Sequence, residues 1–116
     1  MKFATVYALN AADATVASQT SAAIDTSFWY TYSAFSVAVG GTITGTVKIQ
    51  VSNDEVIGGA PVNWIDLPSA TSSVTAAGNY LIGKTDIAFR WLRVVYTKAS
   101  SAGGATITVI VNGLAF

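Results

Sequence analysis

The stretch ITGTVKIQV, Ile43–Val51, decides the fold. Its odd positions are Ile43, Gly45, Val47, Ile49 and Val51; its even positions are Thr44, Thr46, Lys48 and Gln50. Alternation of β-branched with polar residues at period two makes a strand with one buried and one wet face. Working outward, FWYTYSAFSVAV (Phe28–Val39) reads as a second long strand. Trp29, Thr31, Ser33, Phe35, Val37 and Val39 share one face, and Phe28, Tyr30, Tyr32 and Ala34 the other. Aromatics on both faces predict cover on both sides over part of its length. FRWLRVVYT (Phe89–Thr97) is a third strand, and ATITVIVNGLAF (Ala105–Phe116) a fourth, with Ile107, Val109 and Val111 on one face.

Shorter strands are expected at Phe3–Ala8, Thr20–Ile24, Asn63–Leu67, Ser73–Thr75 and Tyr80–Ile82. Turn signals separate the elements at Gly40-Gly41, Gly58-Gly59, Ala77-Gly78 and Gly103-Gly104. No window carries a 3.6-residue apolar stripe. The alanine-rich run ALNAADATVASQTSAA (Ala8–Ala23) is the nearest thing to a helix. Its Thr, Ser, Asn and Asp side chains compete for backbone hydrogen bonds, so an irregular or strand-like segment is expected, a short helix being the alternative. Many short strands in a small chain mean a sandwich or barrel. The expectation is an all-β, jelly-roll-like antiparallel β-sandwich, one domain over residues 1–116.

Composition narrows the function. Only 10% of the 116 residues are charged, against about 25% in an average soluble domain. Apolar residues make up 52%, and six basic side chains balance six acidic ones. A neutral chain lacks the cationic surface that nucleic-acid binding needs. A charge-poor exterior suits a protein whose faces are covered by partners. Cysteine and histidine are both absent, which removes disulfides, thiolate and imidazole metal sites, and the Ser-His-Asp and Cys-His constellations. No apolar run approaches the ~18 residues of a membrane helix. MKFATVYALN lacks the uninterrupted apolar core of a signal peptide. No membrane contact and no cofactor are expected.

Four places could carry function. In VKIQVSNDEVIGGAPVNWIDLPS (Val47–Ser69) a strand ends at Ser52-Asn53-Asp54, and Gly58, Gly59 and Pro61 let the chain reverse before Trp64. Asn and Asp start turns by bonding their own backbone. The simpler reading is a hairpin whose tryptophan closes one end of the core. The sharper reading makes Asn53, Asp54 and Trp64 contacts for a ligand or a protein partner. Asp54-Glu55 with nearby carbonyls could take calcium, but no dense acidic loop surrounds them. Arg90 and Arg93, three apart on a strand, should face opposite ways, one toward solvent and the other toward the sandwich interior or its edge, where it needs a carboxylate from Asp66 or Asp86. The aromatic cluster Phe28, Trp29, Tyr30, Tyr32 and Phe35 has no Lys or Arg interleaved, which favours packing or a subunit contact over base stacking. Leu114 and Phe116 at the terminus are expected in a strand or at an oligomer contact. Six carboxylates show no pairing pattern that would mark a glycosidase, so the chain is expected not to be an enzyme.

VKIQVSNDE…NWIDL…FRWLRVVYT resembles the discoidin or coagulation-factor C-type pattern over Val47–Thr97: a strand ending in Ser-Asn-Asp, then a tryptophan, then an aryl-hydrophobic-Arg-hydrophobic strand. That resemblance implies a galactose-binding-like jelly roll whose relatives bind sugars or lipid head groups at loops on one end. Glu55 stands where that pattern commonly has glycine. Over Thr42–Phe116 the chain also looks like small Ala/Gly/Ser/Thr-rich virion proteins of tailed bacteriophages, such as head decoration, head-fibre or tail-associated components. This second resemblance implies a non-enzymatic structural protein located in the virion, often a homotrimer, that binds copies of itself and a capsid or tail protein. The alternative is a carbohydrate-binding module for a cell-surface glycan, held by Asn53–Asn63 and Trp64.

Overall fold

A computed structural model describes residues 2–27, 29–41, 43–55, 59–85, 89–101 and 105–115. Among the described residues nine strands follow in order: β1 (Lys2–Asp13), β2 (Ser18–Thr20), β3 (Ile24–Asp25), β4 (Trp29–Gly40), β5 (Ile43–Ser52), β6 (Ile65–Val74), β7 (Gly78–Thr85), β8 (Trp91–Ser101) and β9 (Thr106–Ala115). One sheet runs β1-β9-β4-β7 and the other β2-β8-β5-β6, with β3 also paired to β8. Every pairing is antiparallel. The chain passes back and forth between the sheets, so first and last strands lie side by side. This is the two-sheet jelly-roll arrangement.

Alternation explains the core. Ile43, Val47, Ile49 and Val51 of β5 are 0–1% exposed, as are Leu92, Val94 and Tyr96 of β8 and Ile107, Val109 and Val111 of β9. Cross-strand register stacks Val47 against Tyr96, Ile49 against Val94 and Val51 against Leu92. Tyr96 brings a hydroxyl into the core and satisfies it by donating to the Ala14 carbonyl at 2.8 Å. Burial then pushes its phenol pKa up. Buried Ser21 is satisfied too: its Oγ accepts from the Val94 N–H at 2.9 Å and donates to the Ala22 carbonyl at 3.0 Å.

Three expected strands differ: Thr20–Ile24 gives way to two short strands, Ser18–Thr20 and Ile24–Asp25, and two others merge. Asn63–Leu67 and Ser73–Thr75 are not separate strands; Ile65–Val74 is continuous, with a register shift opposite Lys48–Gln50. The shift is absorbed at Ser69, which adopts φ 59°. Leu67 and Ala70 are buried on either side of it, so the inward parity changes across the bulge. The alanine-rich run is not helical. Its first part extends β1 to Asp13, with Ala11 at φ 49°. A turn follows, in which the Asp13 carboxylate accepts the Thr15 N–H at 2.9 Å.

Two glycines permit close approach. Gly113 of β9 lies under the Trp29 ring, where a Cβ would overlap the indole. Gly45 sits at a register shift between β5 and β8, and a Cβ there would strike the Thr97 carbonyl.

Candidate functional site

One end of the sandwich gathers the end of β5, the start of β8 and the β3–β4 turn. The β5–β6 connection is pinned there by a single carboxylate. Asp54 Oδ2 accepts the N–H groups of Val62 at 2.7 Å and Asn63 at 2.9 Å, and Oδ1 accepts Asn63 Nδ2 at 3.0 Å. Its carbonyl accepts Trp91 Nε1 at 3.2 Å. The Asn63 backbone and side-chain bonds, followed by the Val62 N–H, hold the Asp54 pKa below its ordinary value. Asn53 is engaged as well, its Oδ1 accepting the Arg90 N–H at 3.2 Å. Asp54 thus holds the loop by its own atoms and presents both oxygens to N–H donors, which is opposite to what a cation requires.

Beside this loop a polar ladder crosses the outer face of the β8-β5-β6 sheet. Register places Arg93, Gln50 and Asp66 in one row. Arg93 Nε donates to Gln50 Oε1 at 2.7 Å, and Gln50 Nε2 donates to Asp66 Oδ1 at 2.9 Å. Lys48 Nζ reaches Asp66 at 3.3 Å. The Arg93 guanidinium lies over the Trp64 ring, 4.4 Å from its centroid, while Trp64 Nε1 donates to the Pro61 carbonyl at 3.2 Å.

This geometry corrects the expected pairing of an arginine with Asp66. Neither Arg90 nor Arg93 is turned into the core. Arg90 precedes β8 in a bend, so strand parity does not govern it. Asp66 pairs with Lys48 and is joined to Arg93 only through Gln50, because β5 lies between β6 and β8. Asp86 lies outside the described residues, as does Phe116. Leu114 is described by its backbone, which pairs with Phe3 in β1. Of the aromatic cluster, Trp29 is the side chain described, and it packs against the core.

Next to the ladder, Thr26, Ser27, Trp29, Asn53, Phe89 and Arg90 line an open cleft of ≈ 420 Å³. The lining is tied together. Thr26 N–H donates to the Arg90 carbonyl at 2.9 Å, its hydroxyl donates to the Phe89 carbonyl at 2.6 Å, and its own carbonyl accepts the Trp29 N–H at 3.0 Å. Asp25 caps the turn by accepting the Ser27 N–H at 2.9 Å and hydroxyl at 2.6 Å, bonds that lower its pKa. Among the described residues no three carboxylates converge as a metal site.

Sequence reading singled out Asn53, Asp54, Trp64, Arg90 and Arg93, which the fold does gather at one end. It missed Gln50 and Lys48, whose partners depend on strand order. It also missed Thr26, Ser27 and Phe89; the Asx turn at Asp25 and the aromatic before Arg90 were the available signals.

The chain is similar in structure to a fucosidase of Ruminococcus gnavus, with TM-score 0.58 and 11% identity over 88% of this chain and 19% of that one. The chain therefore spans about a fifth of that protein's length. It is similar to a low-affinity xylan binding module, CBM86, from Roseburia intestinalis: TM-score 0.51, 14% identity, 100% of this chain and 97% of that one. A chain of the T13 IBDV viral particle gives TM-score 0.52 at 13% identity over 98% of this chain and 31% of its own. At such identities the likeness is one of fold: an antiparallel β-sandwich. No family model matches the sequence, and no curated protein matches it.

Proposed function

We propose that the protein is a non-enzymatic structural component of a bacteriophage virion. It works by burying its faces against copies of itself, as a homotrimer, and against a capsid or tail protein. The carrying observation is the outer face of the β1-β9-β4-β7 sheet. Register aligns Tyr7, Ile110, Ser36 and Leu81 in one row across all four strands. Tyr7 is 57% and Leu81 73% exposed. The neighbouring row holds Thr5, Asn112, Ala34 and Gly83, again without an acidic or basic residue. A sheet face of this kind associates by apolar burial, worth about 25 cal/mol per Å², and symmetry repeats the gain. The likeness to a viral-particle chain and the sequence's resemblance to small phage virion proteins support placing that assembly on a particle.

The test is rebinding. Purified protein added to phage particles stripped of it should restore their resistance to heat or low salt, and Leu81→Lys should prevent this. Particles that ignore the wild-type protein would defeat the proposal.

A second reading, a carbohydrate-binding module, is favoured by the Trp64–Arg93 stack flanked by Gln50, Lys48 and Asp66. An aromatic face edged by hydrogen-bonding groups suits a sugar ring. Glycan-array binding lost in Trp64→Ala, with folding retained, would support it.

A further inference from the structure

We propose that the end cleft between β3, β5 and β8 is a binding site for a carboxylate-bearing sugar of the hexuronate or sialate kind. This site is separate from the Trp64–Arg93 stack and does not depend on the assembly reading. The volume of ≈ 420 Å³ falls within the roughly 300–1,000 Å³ of small-molecule sites.

The lining supplies three complementary chemistries. Trp29 and Phe89 provide apolar walls, both packed against the core; the C–H face of a pyranose fits such surfaces. Ser27 and Thr26 already donate their hydroxyl protons, to Asp25 and to the Phe89 carbonyl. Each oxygen keeps acceptor capacity, which sugar hydroxyls can fill. Asn53 has its Oδ1 occupied by the Arg90 N–H, so what it retains is the pair of Nδ2 donors. Arg90 is exposed and carries the one formal charge of the described lining. Asp25 is the neighbouring carboxylate and lies close enough to feel the Arg90 charge; it does not line the cleft, and its Oδ1 is taken by Ser27. A guanidinium fork and an amide donor pair suit a planar carboxylate. The hydrogen bonds that join Thr26 and Asn53 to the main chain of Phe89 and Arg90 hold the backbone of the site preformed.

The experiment is a two-dimensional ¹H–¹⁵N NMR titration of the full chain with glucuronate, galacturonate and N-acetylneuraminate, and with glucose as the neutral counterpart of glucuronate. The Trp29 indole and Asn53 side-chain amide signals should move with at least one acid at millimolar concentration. Glucose should bind about tenfold more weakly. Arg90→Gln, which keeps the backbone bond to Asn53, should lose the same factor at unchanged melting temperature. Trp64→Ala should leave the titration intact. Failure of all three acids to move these signals would overturn the proposal. So would equal binding of glucose, an unaffected Arg90→Gln, or loss of the titration in a folded Trp64→Ala.

Discussion

Asp54 works on its own loop. Three donors from Val62 and Asn63 converge on its carboxylate, and the loop they close carries Trp64 to Arg93. Its folded-state pKa is depressed, so its contribution is fully present above the unfolded value of about 3.9 and is lost as pH falls through the folded value. Asp54→Asn should therefore lower the melting temperature at neutral pH, and the gap to wild type should shrink under acid. Thermal melts of both proteins from neutral pH down through the carboxylate range check this; a gap independent of pH would place the effect elsewhere. Gly113 makes the other residue-level prediction. Gly113→Ala drives a methyl group into the Trp29 indole and should cost about 1–3 kcal/mol by overpacking, measured by denaturant unfolding. The Asn-Asp turn was legible in the sequence because such side chains bond locally. That the carboxylate reaches as far as Val62 and Asn63 was not, since the return path of the loop is a property of the folded hairpin.

Among the elements, β5 is the strand on which the rest depend. It is central in its sheet, and its inward residues are fully buried. Ile49→Ala should destabilise by about 2–5 kcal/mol, the range for emptying a packed aliphatic site, again read from denaturant unfolding. On its outer face, Gln50 joins Arg93 to Asp66. A double-mutant cycle of Gln50→Ala with Arg93→Ala should return a coupling of about 0.5–1.5 kcal/mol; zero coupling would mean that solvent replaces the bond. β5 could be read from sequence because it alternates cleanly, and β8 and β9 because they are runs rich in β-branched and aromatic residues bounded by turn signals. β6 could not: Pro68 and Ser69 break its alternation, and its inward parity changes across the bulge. The pairing of an arginine with Asp66 failed for a related reason, since spacing fixes a side chain's face but not which strand lies beside it.

For the whole molecule, two sheets share one apolar interior while differing outside. The face of β8-β5-β6 carries the charged ladder, and the described rows on the face of β1-β9-β4-β7 carry Tyr7, Ile110 and Leu81 with small and polar neighbours. The proposed assembly uses the second face and leaves the first, with the end cleft, open. Sedimentation or light scattering measures this most directly. The account predicts that the 12.0 kDa chain is found at a multiple of its mass, that of a trimer, and that Leu81→Lys returns it to a single chain with its fold intact. A wild-type protein that stays at one chain mass as concentration rises, indistinguishable from Leu81→Lys, would contradict it.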